Sequence, residues 1–345
     1  MTLVSVVVLL GVLAGGYPIL RRVAGDVGSG TTPDYTGAGT GTVTVQVHAG
    51  DATPDIATTL KDHDVVASKQ AFVAAAARSG RAQDFQPGFF RLRRHMAASQ
   101  AVTLLLQPAN RVIAKVTVKE GTTVLEVLDQ LHTQLRLPAT DLKAAAADVK
   151  NLGLPAVFGT PKSAEGFLYP QTYQFDPDVT ASEALQAMAA QFTSETDGLD
   201  FGAHAKALGY SPYQVLIIAS LIQRESKFAE DRAKVARVVL NRMKSDTPIQ
   251  FDSSSVYGAE LEGKDLRTIT YKETSPYNLR IHPGLPPTPI TNPEVGVMQA
   301  ALNPPAGNWL YFVNRDAAGH LFFTNSYKAF LAASDTCRRN NWGCT

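Results

Sequence analysis

Cysteine is almost absent from this chain: two of its 345 residues are cysteines, Cys337 and Cys344. A structural zinc site needs about four ligands, and no histidine pair lies near these two cysteines. We therefore expect no metal site, and no motif in the chain indicates a cofactor. If the C-terminal part lies outside the cytoplasm, the two cysteines favour a small disulfide loop in a C-terminal tail, residues 336–345. The alternative is two free thiols.

An excess of charge of either sign is also missing. Lys and Arg total 32, Asp and Glu total 31, and the formal net charge is +1. Nucleic-acid binding needs clustered Lys and Arg to neutralise phosphates, and the densest basic cluster is small: Arg91, Arg93 and Arg94. We interpret that cluster as a solvated strand edge and exclude nucleic acid as the main partner. The Gly-x-Ser-x-Gly turn of serine hydrolases is absent as well.

A long apolar run without charge occurs at the N-terminus. Residues 3–20 carry no charge over 18 positions, and as a helix they would extend about 27 Å, close to the hydrocarbon thickness of a bilayer. We predict a transmembrane anchor over residues 1–22 and a flexible linker over residues 23–42, which are rich in Gly, Thr, Ser and Pro. A cleaved signal peptide is the competing interpretation, although no basic segment precedes the run. Arg21 and Arg22 follow it, so charge alone leaves the orientation undecided.

Alternating valines mark a change of pattern after the linker. Val43, Val45 and Val47 alternate with polar residues, as in a half-buried strand, and apolar residues at helical spacing follow. A second copy of this strand–helix pattern begins near Ala114, roughly 70 residues later. We predict an α/β module over residues 43–160. Units of this size resemble the LysM-type modules that bind cell walls, and the alternative is an α/β domain without a glycan ligand.

A strongly apolar helix is predicted from Ser211 onward. Serine followed by proline is a favourable helix start, because the hydroxyl caps the first turn and the missing N–H of proline costs nothing there. Beyond this start, an apolar stripe recurs at steps of three and four residues through Val215, Ile218, Ala219 and Ile222. The next step of three places Glu225 on the same stripe.

Glu225 is therefore a carboxylate on the buried face of an apolar helix, near the helix C-terminus. Burial disfavours its charged form, and the negative end of the helix dipole disfavours an anion as well. Both effects raise the pKa, as a general acid requires near neutral pH. The alternative is a structural carboxylate that pairs with Arg224 or Arg232.

The motifs around this helix resemble those of known enzymes. The string Glu225-Ser226-Lys227-Phe228 resembles the Glu-Ser-x-Phe signature of lysozyme-like lytic transglycosylases. The wider chain resembles one family, the YceG-like endolytic murein transglycosylases, through motifs that occur in one order. These motifs occupy residues 165–173, 219–225, 239–242, 250–258, 275–278, 284–287, 310–313 and 319–324.

Two positions depart from the family pattern. Gln223 stands where the family often has a second glutamate, so Glu225 is the carboxylate that remains. Asp252-Ser253-Ser254 stands where the family usually has Asp-Pro-Thr, which changes how this loop would contact sugar. Neither departure removes the residue that the family uses as its catalyst.

The resemblance implies an α+β protein whose anchor and LysM-like α/β module precede a lysozyme-like, mainly helical catalytic domain with a few strands, residues 161–335. It implies cleavage of the β-1,4 bond between N-acetylmuramic acid and N-acetylglucosamine, with 1,6-anhydro ends, termination of growing strands and Glu225 as the catalytic acid. The residues expected to bind substrate are Glu165, Gln250, Asp252, Tyr257, Tyr277 and Asn278.

The resemblance also implies partners and a location. We expect the glycan strands of peptidoglycan as substrate, the plasma membrane as a partner through residues 3–20, and the peptidoglycan synthases of the elongation machinery as further partners. The protein would be a single-pass protein of the cell membrane with its catalytic domain on the extracytoplasmic side.

Two other functions remain open from the sequence. A hydrolytic muramidase would need a second carboxylate, and Asp252 and Glu165 are the candidates, if either lies about 5–10 Å from Glu225. A catalytically inactive wall-binding or scaffolding membrane protein would keep the fold without the reaction. The retention of Glu225 argues against this second function.

Overall fold

The computed structural model describes residues 32–269 and 274–344 of the chain. Contacts between Cα atoms divide the chain into two units, with the boundary between Val112 and Ile113. Within the described residues, no helix is long and apolar enough to cross a membrane. The anchor predicted over residues 3–20 lies outside them.

The first unit is built on an antiparallel strand pair with two helices between the strands. The alternating valines form one strand, and Val45 and Val47 are buried while Gln46 between them is more exposed. The elements are β1 Thr40–Val47, α1 Thr53–Asp62, α2 Lys69–Ser79, β2 Gly88–Arg94 and α3 Ala98–Leu105. Strand β1 pairs with β2, and the largest side chains of their shared core include Phe72 and Leu92.

Two residues of the predicted flexible linker, Pro33 and Asp34, form hydrogen bonds with this unit. Both carboxylate oxygens of Asp34 accept from the backbone N–H of Ala98, at 3.0 and 3.3 Å. The carbonyl of Pro33 accepts from the hydroxyl of Ser68 at 2.7 Å. The composition of this segment predicts flexibility. It does not show that Asp34 bonds to the N-terminus of α3, where a carboxylate is stabilised.

The second unit begins with the same order of elements. Strand β3, Ala114–Thr117, pairs antiparallel with β4, Thr172–Phe175, and the two helices between them are α4, Val124–Leu135, and α5, Ala139–Ala147. This strand–helix–helix–strand order is the one seen in the first unit, and it starts where the sequence predicts the second copy. The observed boundary nevertheless differs from a module that ends at residue 160, because β3 finds its partner strand beyond that residue.

The rest of the second unit is mainly helical and is packed around one central helix. That helix is α8, and it contacts helices on several sides. The elements are α6 Ala181–Thr196, α7 Phe201–Leu208, α8 Pro212–Glu225, α9 Ala229–Lys244, α10 Asp252–Leu261, α11 Val295–Leu302, β5 Tyr311–Asn314, β6 Leu321–Thr324 and α12 Tyr327–Arg339. Strands β5 and β6 form a hairpin.

Helix α8 begins as the sequence predicts but is more deeply buried than one stripe suggests. The Ser211 hydroxyl accepts from the backbone N–H of Gln214 at 3.2 Å, and the Gln214 side chain accepts in return from the Ser211 N–H at 2.8 Å. All eight residues from Val215 to Ile222 are buried. A helix that is apolar all round lies in the interior of a protein, so its C-terminal carboxylate is held by surrounding elements.

The C-terminal tail is joined back to the second unit. Cys337, buried in α12, forms a disulfide with Cys344. The carbonyl of Trp342, inside that loop, accepts from the side-chain amide of Asn314 in β5 at 2.8 Å. The tail therefore packs onto the hairpin.

A buried carboxyl group joins the strand–helix half of the second unit to its helical half. Glu165 is 1% exposed, and its oxygens accept from the N–H of Val124, the first residue of α4, at 3.1 and 3.0 Å. The hydroxyl of Tyr257, on α10, donates to it at 2.9 Å. Burial raises the pKa of Glu165 to about 8, although both of these hydrogen bonds favour the ionised form.

This raised pKa predicts a pH dependence of stability that Glu165→Gln removes. The folded protein holds a proton that the unfolded chain has lost between about pH 4.5 and 8, so Glu165 lowers the free energy of unfolding progressively as pH rises through that range. Glutamine keeps an acceptor for the Val124 N–H and does not ionise. We expect the melting temperature of the wild type, relative to Glu165→Gln, to fall between about pH 5 and 8 in calorimetry. A difference that stays constant over this range would contradict the assignment.

Candidate active site

Glu225 is the last residue of α8, at the point where this helix meets the start of α10. Its side chain is half-buried. The hydroxyl of Ser253, in the first turn of α10, donates to Glu225 Oε1 at 2.6 Å. The carboxyl group therefore sits between a helix C-terminus, which disfavours an anion, and a helix N-terminus, which favours one.

The electrostatic environment favours the protonated form of Glu225. Burial is the largest effect and raises the pKa of its carboxyl, and the nearby charge of Asp252 acts in the same direction. Hydrogen bonds from the side chain and backbone of Ser253 oppose this, as does the charge of Arg224. The pKa nevertheless lies above the ordinary glutamate value, and this shift favours the protonated form that a general acid needs.

The sequence analysis left open an ion pair of Glu225 with Arg224 or Arg232, and neither arginine neutralises Glu225 in the structure. Arg232 pairs with Glu294 at 2.6 Å. The guanidinium of Arg224 donates to the carbonyl of Gly121 at 3.4 Å, which turns it toward the loop before α4. The raised pKa of Glu225 shows that the positive charge of Arg224 does not outweigh burial.

Asp252 is the first residue of α10 and is held by an arginine. Arg280 donates to its two oxygens at 2.6 and 2.9 Å, a bidentate pair in which both groups keep part of their surface exposed. Sequence inspection missed Arg280 and Ser253 as parts of the site. The only signal for Ser253 was its place in a motif where the family usually has proline.

Gln250 precedes α10 in a backbone conformation that side-chain-bearing residues rarely adopt. Its φ is +59°, and its N–H donates to the carbonyl of Leu279 at 2.9 Å. Beneath it, the buried guanidinium of Arg242 donates to the carbonyls of Ile249 and Leu310 at 2.7 and 2.6 Å. The Gln250 side chain itself is exposed, so it remains accessible to a ligand.

Three of the six predicted substrate-binding residues are buried. Glu165, Tyr257 and Asn278 are each no more than 3% exposed. The side-chain oxygen Oδ1 of Asn278 accepts from the backbone N–H of Arg280 at 3.1 Å, and the Tyr257 hydroxyl donates to Glu165. In the structure, the side chains of Glu165, Tyr257 and Asn278 hold α10 in place from the buried side. Direct contact of these side chains with sugar stays a prediction. Residue type alone does not distinguish a polar group in a cleft from one beneath it.

Tyr277 is half-buried and contacts one of these buried residues, Tyr257. Its ring meets that of Tyr257 edge to face at 5.2 Å, and its hydroxyl shares a hydrogen bond of 2.8 Å with Thr288. Part of its surface is accessible. Of the six predicted residues, Gln250, Asp252 and Tyr277 are therefore the ones that reach solvent.

A cavity of about 620 Å³ lies beside the N-terminal half of α4. Polar side chains from β3, α4 and the loop between them line it, together with Glu260 from the C-terminal end of α10. Burial raises the pKa of Glu260, and the charge of Arg224 opposes this. Neither Glu225 nor Arg224 lines this cavity, so the space is distinct from the surroundings of the acid.

Comparison with known proteins agrees with this architecture. The YceG-like family matches residues 45–336 of the chain. The endolytic murein transglycosylase of Bacillus subtilis is 29% identical over 318 residues, which cover 85% of this chain and 84% of that protein. The endolytic murein transglycosylase of Streptococcus pneumoniae serotype 2 is 25% identical over 312 residues, which cover 82% of this chain and 56% of that protein.

A solved structure is similar in fold. The crystal structure of a YceG-like protein from Listeria monocytogenes matches with a TM-score of 0.56 at 24% identity, and the match covers 85% of this chain and 99% of that one. The α+β architecture is therefore one that has been seen in a crystal. Because the family match spans most of the sequence, including α8 and α10, this chain belongs to the YceG-like family.

Proposed function

We propose that this protein is an endolytic lytic transglycosylase of peptidoglycan and that Glu225 is its catalytic acid. The observation that carries the proposal is one carboxyl group with a raised pKa, half-buried at the end of α8 and bonded by Ser253. The relatives that the chain matches over most of its length are named endolytic murein transglycosylases.

The reaction needs one acid and no activated water. Glu225 donates its proton to the glycosidic oxygen between N-acetylmuramic acid and N-acetylglucosamine as the bond to the anomeric carbon breaks. The resulting carboxylate accepts the proton of the C6 hydroxyl of the same muramic acid residue, whose oxygen then bonds to the anomeric carbon. The product is a 1,6-anhydro end, and Glu225 regains its proton. An internal nucleophile has a high effective molarity, which favours it over water.

Burial and Ser253 serve the two halves of this cycle. Burial raises the pKa of the resting carboxyl, which favours the protonated form that acts as an acid. Once the proton has left, the Ser253 hydroxyl donates to the anion and stabilises it until the C6 proton arrives.

A hydrolytic mechanism finds less support in the same geometry. It needs a second carboxylate that is free to activate water or to attack the sugar. Both carboxylate oxygens of Asp252 accept hydrogen bonds from the guanidinium of Arg280. Glu165 is buried and accepts from the Val124 N–H and the Tyr257 hydroxyl. Asp252, whose charge acts on Glu225, and the buried Glu165 are therefore both engaged by other residues rather than free to act as a base.

The location is part of the proposal. We propose a single-pass protein of the cell membrane, anchored by residues 3–20, with the catalytic domain, residues 161–335, on the extracytoplasmic side. The disulfide between Cys337 and Cys344 supports this, because disulfides persist in oxidising compartments. The repeated strand–helix–helix–strand order supports a LysM-like role in holding glycan strands, and peptidoglycan synthases are the proposed protein partners.

Replacement of Glu225 by glutamine tests the activity. Glutamine keeps the size of the side chain but has no proton to donate at neutral pH. We expect Glu225→Gln, as the full-length protein in detergent, to release muropeptides from purified peptidoglycan roughly 10²–10⁴-fold more slowly than the wild type. Mass spectrometry should show wild-type products that are lighter by one water molecule than hydrolytic products.

The matched control is Glu262→Gln, which removes an exposed glutamate paired with Lys264 and should leave the rate unchanged. Products with reducing ends would contradict the transglycosylase reaction and make the protein a muramidase. A folded wild type that releases nothing would favour the binding or scaffolding role.

Ser253→Ala should shift the pH dependence of the reaction. The lost hydrogen bond favoured the ionised carboxylate, so its removal raises the pKa of Glu225 further. The descending limb of the pH–rate profile should therefore move to higher pH, while the maximal rate falls because the anion loses its donor.

Ser254→Ala is the control for this shift. The Ser254 hydroxyl is buried one residue further along α10 and has no hydrogen-bond partner among the described residues. Removal of this hydroxyl should leave the descending limb of the pH–rate profile at the same pH. A limb that moves to lower pH in Ser253→Ala, or moves equally in both variants, would refute the assigned role.

A further inference from the structure

The turn of the β5–β6 hairpin contacts the short segment that follows Glu225. The ammonium group of Lys227 donates to the carbonyl of Ala318 at 3.1 Å. One residue further on, the ring of Phe228 stacks on the imidazole of His320, with 3.9 Å between ring centroids and 9° between ring planes. Two consecutive residues after the proposed acid are therefore held by one turn.

Asp316 fixes the imidazole in that stack. Its Oδ2 bonds to His320 Nδ1 at 2.9 Å, and its Oδ1 accepts from the backbone N–H groups of Gly319 and His320 at 2.9 and 3.1 Å. The second ring nitrogen of His320 lies 3.6 Å from Glu230 Oε1. The ring is thus oriented from two sides, and it cannot turn away from Phe228 without breaking the bond to Asp316.

A buried contact holds the other end of the same segment. Asp231, in the first turn of α9, is 4% exposed and accepts from the N–H of Leu321 at 2.9 Å. Among the described contacts, no side chain caps the first turn of α9 from Phe228. Residues 226–228, which link α8 to α9, are held locally by the Ser226 hydroxyl, which donates to the Phe228 carbonyl at 3.1 Å, and from outside the segment by the hairpin.

We propose that His320, oriented by Asp316, is a positioning residue for Glu225. It acts through Phe228, whose ring it holds, and so fixes the link that follows the acid. The proposal rests on the proposed role of Glu225. Proton transfer depends steeply on geometry, and a displacement of about 1 Å can cost about 10²-fold in rate, so a loosened link should slow the reaction without weakening substrate binding.

The test is a kcat and KM comparison on soluble glycan strands with the full-length protein. We expect His320→Ala to lower kcat about 10-fold and to change KM less than about 2-fold. His320→Phe keeps a flat ring against Phe228 and should recover part of the lost kcat. Asp316→Ala should resemble His320→Ala, and the double variant should be no slower than either single one, because the two residues act as a unit.

His204→Ala, at an exposed histidine of α7, is the matched control and should leave kcat and KM unchanged. A higher KM at unchanged kcat in His320→Ala would overturn the proposal, since it would mean direct substrate contact. Loss of kcat only in proportion to the unfolded fraction, with no recovery in His320→Phe, would also overturn it. If Glu225→Gln is inactive while His320→Ala keeps full kcat, this proposal fails and the proposed acid stands. If Glu225→Gln stays active, both fail.

Discussion

The hydrogen bond between Ser253 and Glu225 is the contact on which the proposed chemistry depends. It joins the C-terminus of α8 to the N-terminus of α10, 2.6 Å between oxygens. Burial favours the neutral acid and this bond favours the anion, so the carboxyl group is prepared for both states of a proton-transfer cycle. A buried carboxyl without such a donor would hold its proton but would pay a large desolvation penalty on releasing it.

Much of the second unit fixes the two helix ends that meet at this bond. Residues Val215 to Ile222 of α8 are all buried in the apolar core, so packing fixes the helix that carries the acid. Helix α10 is attached through Tyr257 to the buried Glu165, and through that carboxyl to the start of α4. The strand–helix half thus contributes to the site by holding α10 through this carboxyl group.

Local features of the fold could be predicted and non-local ones could not. The strand β1, with its alternating valines, and the Ser211-Pro212 start of α8 can be predicted from residues that are neighbours in the sequence. The pairing of β3 with β4 joins residues more than fifty positions apart, and no local pattern carries it. For the same reason Glu225 was recognisable from its stripe, whereas Ser253 and Arg280 were not, since their roles come from helix α10 packing beside α8. Burial of Glu165, Tyr257 and Asn278 is likewise a tertiary property.

The most direct test of this account is the pKa of Glu225 itself. The protein can be labelled with ¹³C at glutamate carboxyl carbons and titrated by NMR, with the signal assigned by its loss in Glu225→Gln. We predict a midpoint clearly above the ordinary glutamate value of about 4.3, and a further rise in Ser253→Ala. A midpoint at or below that value would mean that Glu225 is ionised at neutral pH, and it would contradict the proposal that this residue is the acid.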